Sequence, residues 1–346
     1  MTASARFPAE WAPQSAILIA WPHPDTDWAP RLSEVEETYI ALVAAIARFQ
    51  DVLICVADDD LQIYAEARLR SARIDMNRVH FVVVEYDDTW LRDSGPITLI
   101  DGGKFCLCDF RFTGWGGKFE AGRDDRLVAH LARSGRLADS EIRTFDFALE
   151  GGAIDTDGEG TLLTTWRCLH ERHPDTARAE LDAKLCEYLA QQRVLWLDHG
   201  HLEGDDTDAH IDTLARFAAT DAIVYQSCDD AGDSHHAELT AMAAELAALR
   251  TRDGQPYRLF PLPWPAPVID EERRLAASYA NFLIADGAVL MPAYDDPADA
   301  LAAQVLASAF PDREIVPVPC RPLIWQNGSL HCITMQLPQG LLAADA

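Results

Sequence analysis

The stretch Ile97-Thr-Leu-Ile-Asp-Gly-Gly-Lys-Phe-Cys-Leu-Cys-Asp-Phe110 contains two strand-like apolar runs, 97–100 and 104–110, with no helix between them. The next helix-like pattern comes only at 123–134. In a doubly wound sheet a crossover helix separates most consecutive strands, because parallel strands require a long connection. This stretch therefore argues against a simple doubly wound sheet and favours strands that occur in clusters.

The same clustering recurs along the chain, with helical patterns between groups of two or three short apolar runs. We expect strands at Ala16–Trp21, Val52–Val56, Val79–Val84, Ile97–Ile100, Lys104–Phe110, Thr161–Trp166, Val194–Leu197, Ile223–Gln226, Phe282–Ala285, Ala288–Met291 and Ile315–Val318. We expect helices at Ser33–Phe49, Asp58–Ser71, Arg123–Ser134, Asp175–Gln192, Ser234–Arg250 and Asp296–Ala309. Ser33 and Glu36 fit a capping box. The pattern predicts repeated α/β units of roughly 60–70 residues, each with several strands and one helix.

The chain is strongly acidic. Its 346 residues include 29 Lys and Arg against 56 Asp and Glu, which gives a formal charge of −27 with His neutral. This charge repels nucleic acids and anionic membranes and weakly favours cationic small molecules, although it also simply promotes solubility. Because 49% of the residues are hydrophobic, the chain can bury a large core, and we expect one domain over residues 1–346.

No targeting or membrane-spanning segment is visible. Residues 1–10 lack the basic and apolar regions of a signal peptide, and the apolar run 16–21 is far shorter than a membrane span. The eight cysteines are scattered without a C-x-x-C pair, so no disulfide framework is expected. We therefore predict a cytoplasmic protein with no membrane or nucleic-acid partner, and a homo-oligomer stays open.

Four segments place carboxylate, imidazole or thiol side chains beside glycines or turn residues. Each of them, taken alone, reads equally well as an ordinary turn or a packed core. The segments are Trp90-Leu-Arg-Asp-Ser-Gly-Pro96, Leu149-Glu-Gly-Gly-Ala153, Gly204-Asp-Asp-Thr-Asp-Ala-His-Ile-Asp212 and Asn327-Gly-Ser-Leu-His-Cys-Ile-Thr334. Their combination is more informative than any one of them, because glycines let the backbone bend sharply next to a reactive group.

In the third segment, His210 and Asp212 are spaced i, i+2, so on a strand they would point the same way. The surrounding aspartates favour a protonated imidazole. A metal site is the alternative interpretation. The run lacks the spacing of a calcium loop, whereas zinc would need His199 and His201 beside Asp205.

Cys332 follows the Asn327-Gly turn and opens the strand-like run 333–337. A thiol beside a turn can be reactive, although most single cysteines are inert core. One Cys, one His and several carboxylates are the inventory of a thiol enzyme that acts on a cation. A guanidinium suits this site because its pKa above about 12 keeps it charged. Two carboxylates in fork geometry offset the cost of burying it.

Five segments in order, WLRDSGP, LEGGAID, DDTDAHID, SYANF and NGSLHC, resemble the agmatine deiminase family. This family is related to the bacterial-type peptidylarginine deiminases and belongs to the guanidino-group-modifying superfamily. The resemblance runs from Trp21 to Cys332. It implies a five-bladed α/β propeller with pseudo-fivefold symmetry around a central active site, which agrees with the clustered strands. It also implies hydrolysis of agmatine, a small cationic guanidine, to N-carbamoylputrescine and ammonia without metal or cofactor.

The resemblance further implies roles for individual residues. Cys332 would be the nucleophile and His210 the proton shuttle. Asp93 and Asp212 would grip the guanidinium nitrogens, and Glu150 would be a further catalytic carboxylate near the imidazole.

Three more residues would contact the substrate. Trp90 matches a pocket wall, Asn281 matches a site-lining amide, and Asp206 would face the distal amine of agmatine. The alternatives are a deiminase of free arginine or of peptide C-terminal arginine, a non-catalytic binder of guanidines or polyamines, and the zinc-dependent hydrolase.

Overall fold

The computed structural model describes residues 5–344. In this part of the chain most strands form five sheets of three or four strands each, and two short strands form a separate hairpin. The first unit comprises β1 (Gln14–Ala20), α1 (Leu32–Ile46), β2 (Asp51–Val56), α2 (Asp59–Ser71) and β3 (Val79–Val83). The second comprises α3 (Leu91–Ser94), β4 (Ile97–Asp101), β5 (Lys104–Arg111), α4 (Gly114–Gly117), α5 (Leu127–Arg133) and β6 (Ser140–Ala148).

The third unit comprises β7 (Ile154–Thr156), β8 (Thr161–Thr165), α6 (Trp166–Arg172), α7 (Arg178–Tyr188) and β9 (Arg193–Leu197). The fourth comprises β10 (Ala215–Ala219), β11 (Ala222–Gln226), α8 (His236–Ala248) and β12 (Arg258–Leu262), and the hairpin of β13 (Ile269–Asp270) and β14 (Arg273–Arg274) follows it. The fifth comprises β15 (Leu283–Ala285), β16 (Ala288–Ala293), α9 (Asp299–Ala309) and β17 (Glu314–Pro319), before the last strand, β18 (Met335–Pro338).

One pattern repeats in all five sheets. Two strands pair antiparallel, a helix follows, and a third strand returns parallel to the second, as in β4, β5, α5 and β6. In the first sheet the leading strand is β18, which pairs antiparallel with β1, while β2 runs parallel to β1. The last strand of the chain thus completes the first unit, and the predicted fold of repeated units is confirmed.

Tight turns explain why the strands cluster. Between β4 and β5, Gly102 and Gly103 both adopt left-handed φ angles, of 58° and 83°. Two consecutive positive φ angles match the right-handed twist of a hairpin, so the chain reverses without a helix. The strands β8 and β11 are buried throughout, because both faces of these sheets are covered. Within residues 5–344, no helix combines the length and apolarity needed to span a bilayer.

The predicted capping box of α1 is wrong. The helix begins at Leu32, Arg31 occupies the N-cap position without a side-chain cap, and Ser33 lies inside the first turn. Glu36 instead accepts hydrogen bonds from Tyr64 and Arg68 of α2, at 3.0 and 2.9 Å. The Glu36 carboxylate therefore binds side chains of a neighbouring helix and does not cap the start of α1.

Candidate active site

The structure brings all eight predicted site residues to one place. A cavity of about 690 Å³ is lined by four of them, Trp90, Asp93, Asp206 and Cys332. The other four are buried, namely Glu150, His210, Asp212 and Asn281. His210 lies beside Asp93 and Glu150, whereas Asp212 and Asn281 contact the Cys332 sulfur.

The side chains of His210 and Cys332 are positioned by short turns and not by strands. His210 precedes a single 3-10 turn, Ile211–Thr213, so the condition under which His210 and Asp212 would point the same way, an extended strand, is not met. The carboxylate of Asp205 folds the preceding loop by accepting the backbone N–H groups of Thr207 and Ala209, at 2.9 and 2.7 Å. Cys332 likewise lies in a turn ahead of β18 rather than at the start of a strand.

Gly152 explains why the Glu-Gly-Gly motif is needed. A Cβ atom at this position would lie 2.6 Å from His210 Nδ1 and 2.7 Å from Asp93 Oδ1. Its backbone N–H also donates to Asp93 Oδ1 at 2.9 Å. Only glycine leaves room for an imidazole and a carboxylate to pack against the backbone together.

The Cys332 thiol is held by Asn281, whose Nδ2 lies 3.2 Å from Sγ. Asp212 Oδ2 lies 3.6 Å from the same sulfur. Burial, followed by the charges of Asp212 and Asp93, raises the pKa of this thiol well above its ordinary value. These surroundings favour the protonated thiol.

The two aspartates that face the thiol have opposite pKa shifts. Asp93 accepts a hydrogen bond from Trp115 Nε1 at 2.9 Å. Burial, reinforced by Asp212 and Glu150 against the opposing charge of His210, raises the pKa of Asp93 to about 6.

Burial also works to raise the pKa of Asp212, but hydrogen bonding and charge from His331 outweigh it, and the pKa of Asp212 is lowered. Asp212 Oδ2 lies 2.8 Å from His331 Nδ1. Its Oδ1 has no hydrogen-bond partner among residues 5–344. This oxygen is therefore a free, buried acceptor in the site.

His210 lies between two carboxylates, with Nδ1 3.6 Å from Asp93 Oδ1 and Nε2 3.7 Å from Glu150 Oε2. Burial alone would lower the pKa of His210, but Asp93, Cys168 and Glu150 raise it well above its ordinary value. Arg172 holds Glu150 in place by donating from Nε to Oε1 at 2.6 Å. The site thus favours a protonated imidazole between two carboxylates.

The predicted zinc ligands do not form a site. His199 and His201 both face Glu238, at 3.3 and 3.8 Å, and Asp205 is engaged with the backbone of its own loop. Within the described part of the chain, one group of three donor atoms lies close enough to hold a metal ion, namely Glu150, Cys168 and His210. These residues belong to the cluster around His210 described above.

The mouth of the cavity is acidic. Two cations, Lys118 and Arg273, line it together with acidic residues beyond those of the predicted site, namely Asp25, Asp27, Asp87, Asp88, Glu120 and Asp124. Burial is the main cause that raises the pKa values of Asp88 and Asp124 to about 7. A cavity with this balance attracts a small cation.

Asp206 lies half-buried in this wall. Its carboxylate accepts a hydrogen bond from Asn327 Nδ2, and its backbone carbonyl accepts one from Lys118 Nζ at 2.6 Å. Lys118 also pairs with Asp208 at 2.8 Å. The carboxylate therefore lines the cavity without an ion pair of its own to Lys118.

Four residues beyond the eight predicted ones complete the site, namely Glu10, Trp115, Arg172 and His331. The Gly114-Trp-Gly-Gly117 motif and the position of His331 next to Cys332 were signals that could have identified two of them. Glu10 and Arg172 carry no local signal, because their importance comes from contacts with residues far away in sequence.

Several known proteins resemble the chain over nearly its whole length. Residues 6–338 match the family model of the Porphyromonas-type peptidyl-arginine deiminases. An agmatine deiminase of Pseudomonas aeruginosa (strain LESB58) is 35% identical over 360 residues, which cover 96% of this chain and 95% of the relative. A C. jejuni agmatine deiminase, solved as a cysteine-to-serine variant with substrate bound, is 35% identical, with a TM-score of 0.90 and 97% of each chain covered. A solved Porphyromonas gingivalis protein, described as a candidate arginine deiminase, is 44% identical, with a TM-score of 0.90, 98% of this chain and 100% of that chain covered.

Proposed function

The chain belongs to the Porphyromonas-type peptidyl-arginine deiminase family, and from this premise we propose that it is an agmatine deiminase. It hydrolyses agmatine to N-carbamoylputrescine and ammonia. The observation that carries the proposal is a thiol, Cys332, that shares an acidic cavity with Asp93 and lies 3.6 Å from Asp212. Full-length agmatine deiminase relatives support the same substrate.

The reaction begins when the guanidinium binds between Asp93 and Asp212. Its positive charge offsets the two carboxylates that raise the pKa of the Cys332 thiol, so the thiol proton leaves to solvent. Sγ then attacks the guanidinium carbon and forms a tetrahedral adduct. His210, which already carries a proton, protonates the departing nitrogen, and the C–N bond breaks to release ammonia.

The second half of the reaction reverses these roles. The covalent thiouronium is attacked by a water molecule whose proton passes to the now neutral His210, and Glu150 stabilises the imidazolium that forms. Collapse of the adduct breaks the C–S bond, and the adduct's hydroxyl proton passes to the departing sulfur, which restores the thiol and yields the ureido product. One water is consumed, and the guanidinium nitrogen leaves as ammonium after taking up a proton in water.

Ammonia release tests this assignment directly. We expect agmatine to be turned over faster than arginine or arginine-ending peptides at equal concentration. A wild-type protein that prefers arginine would replace the agmatine assignment by the second candidate, free arginine. That candidate is favoured by Lys118 and Arg273, two cations at the cavity wall that could pair with an α-carboxylate. A protein that binds agmatine but releases no ammonia would be a binder rather than an enzyme.

The pH dependence of kcat/KM should report Asp93. Its carboxyl must be ionised to grip the guanidinium, and its pKa is raised to about 6. As the pH falls through this value the carboxyl takes up a proton, so kcat/KM should fall about tenfold for each further pH unit. Steady-state rates between pH 5 and 8 check this. A profile that stays flat down to pH 5 would contradict an essential Asp93 with this pKa.

We expect the Asp206 carboxylate to bind the distal amine of agmatine. Arginine carries an α-carboxylate at this end, and a like-charge contact at about 4 Å costs up to about 4 kcal/mol before salt screening. Asp206→Asn should therefore raise KM for agmatine. The ratio of kcat/KM for agmatine to that for arginine should fall by about tenfold. The ratio of kcat/KM for the two substrates measures this.

Glu120→Gln is the matched control for Asp206→Asn, because Glu120 also lines the cavity. If both variants lowered the agmatine-to-arginine ratio of kcat/KM equally, the overall negative charge of the cavity, and not Asp206 itself, would bind the amine. An unchanged ratio in Asp206→Asn would mean that the amine is bound elsewhere. The cytoplasmic location, the homo-oligomer and the absence of a nucleic-acid partner stay predictions.

A further inference from the structure

His331, the residue before the nucleophile, lies between two buried carboxylates. Its Nδ1 is 2.8 Å from Asp212 Oδ2, and its Nε2 is 2.8 Å from Glu10 Oε2. All three side chains are at least 95% buried, with exposures of 2% for His331, 0% for Asp212 and 4% for Glu10. Glu10 belongs to the segment that precedes β1, so the chain's first described residues reach the floor of the site.

The hydrogen-bond partners of Glu10 and Asp212 show that both carboxylates act as acceptors toward His331. Glu10 is also paired with the buried Arg216, and its Oε1 accepts the backbone N–H of Ile284 at 2.6 Å. A carboxylate with these partners is an acceptor only, and Asp212 is likewise ionised. Both ring nitrogens of His331 therefore face carboxylate oxygens, so an acceptor holds the ring at each end.

This geometry determines which oxygen of Asp212 is left without a partner. His331 occupies Oδ2, and Oδ1 remains without a partner among the described residues. The backbone of the same segment is fixed as well, because Asn281 Oδ1 accepts the N–H groups of His331 and Cys332, at 2.8 and 3.3 Å. One short segment therefore carries the nucleophile and orients a carboxylate that binds the cation.

We propose that His331, held by Glu10, is a positioning residue that orients Asp212 Oδ1 toward the guanidinium beside the Cys332 thiol. This inference rests on the proposed function and deepens it. It makes the N-terminal segment part of the active site, although Glu10 touches neither the substrate nor the sulfur. Loss of His331 frees the Asp212 carboxylate to rotate and leaves it buried with one partner fewer, which weakens its grip on a cation.

The test compares two reagents that alkylate Cys332. Chloroacetamidine is a planar cation shaped like one end of a guanidinium, and iodoacetamide is neutral. In His331→Gln we expect kcat/KM for agmatine and the chloroacetamidine rate to fall together by about 10- to 100-fold, the range typical when a ligating group loses its orienting partner. The iodoacetamide rate should change by less than about threefold, because no cation needs to be gripped.

Two further variants keep the test decisive. Glu10→Gln preserves size and should give a smaller loss with the same selectivity for the cationic reagent, and it replaces His331→Gln if that variant does not fold. His235→Gln is the matched control, because His235 is also buried and lies 2.7 Å from a carboxylate, Asp233, outside the cavity. Thermal unfolding confirms that each variant is folded.

Equal losses with both reagents, or no loss with either, in folded His331→Gln would overturn the positioning role. The proposed function fails separately, if wild type releases no ammonia from agmatine. Cation-selective labelling that is lost in His331→Gln would then still support the positioning role for another guanidine.

Discussion

Replacement of Cys332 by Ala should lower agmatine turnover by more than about a thousandfold, because Cys332 is the cysteine that lines the cavity and can reach a bound cation. The cavity, the acidic wall and the ion pair of Glu150 with Arg172 remain, so agmatine should still bind. Ammonia release measures the loss, and calorimetric titration with agmatine measures the retained binding.

Cys186→Ala is the matched control, because Cys186 is only partly buried and lies on α7 away from the cavity. This variant should keep wild-type turnover. In wild type, limiting iodoacetamide should label Cys332 ahead of the other cysteines, and agmatine should protect it. Full activity in Cys332→Ala, or uniform labelling that agmatine does not affect, would refute the assignment of the nucleophile.

Asp93→Asn and Asp212→Asn should each lower kcat/KM for agmatine by more than a hundredfold. Both carboxylates are buried, so removal of either charge leaves a buried guanidinium under-paired, which costs about 3–5 kcal/mol. Asn preserves the size of each side chain, so the loss reports charge rather than packing. Steady-state kinetics on folded protein measure it.

Asp27→Asn controls for the total negative charge, because Asp27 lines the same cavity but is exposed. It should change kcat/KM by less than about threefold, the scale of screened surface charges. If folded Asp93→Asn or Asp212→Asn kept more than a tenth of the wild-type kcat/KM for agmatine, the guanidinium would not depend on both carboxylates for binding.

Much of the fold was predictable because its signals are local. The apolar runs 97–100 and 104–110, joined by Asp101-Gly-Gly103, already specify a hairpin rather than a crossover. The eleven predicted strands agree with observed ones to within about two residues, since alternation and turn residues act over a few positions, whereas β6, β7, β10 and β12–β14 were not predicted. The capping box predicted for α1 was wrong because Glu36 accepts hydrogen bonds from Tyr64 and Arg68 of α2 instead.

The candidate site was predictable in part through its glycines. Gly152 has no room for a Cβ beside His210 and Asp93, so the sequence must show glycine there. Cys332, His210 and the carboxylates stand out because each lies next to a glycine or a turn. The two-residue spacing of His210 and Asp212 was uninformative, because the backbone there turns instead of extending.

The amino-acid sequence by itself determined the clustered strands, the turns and the set of reactive side chains, because each depends on neighbours within a few residues. Tertiary structure alone decided that β18 completes the first sheet with β1, and that Glu10 reaches His331 across 321 residues of chain. It also decided that burial raises the pKa of Asp93, while His331 overcomes burial and lowers that of Asp212. Two identical side chains in similar motifs differ because a pKa depends on the charges and solvent around the group, and folding sets both.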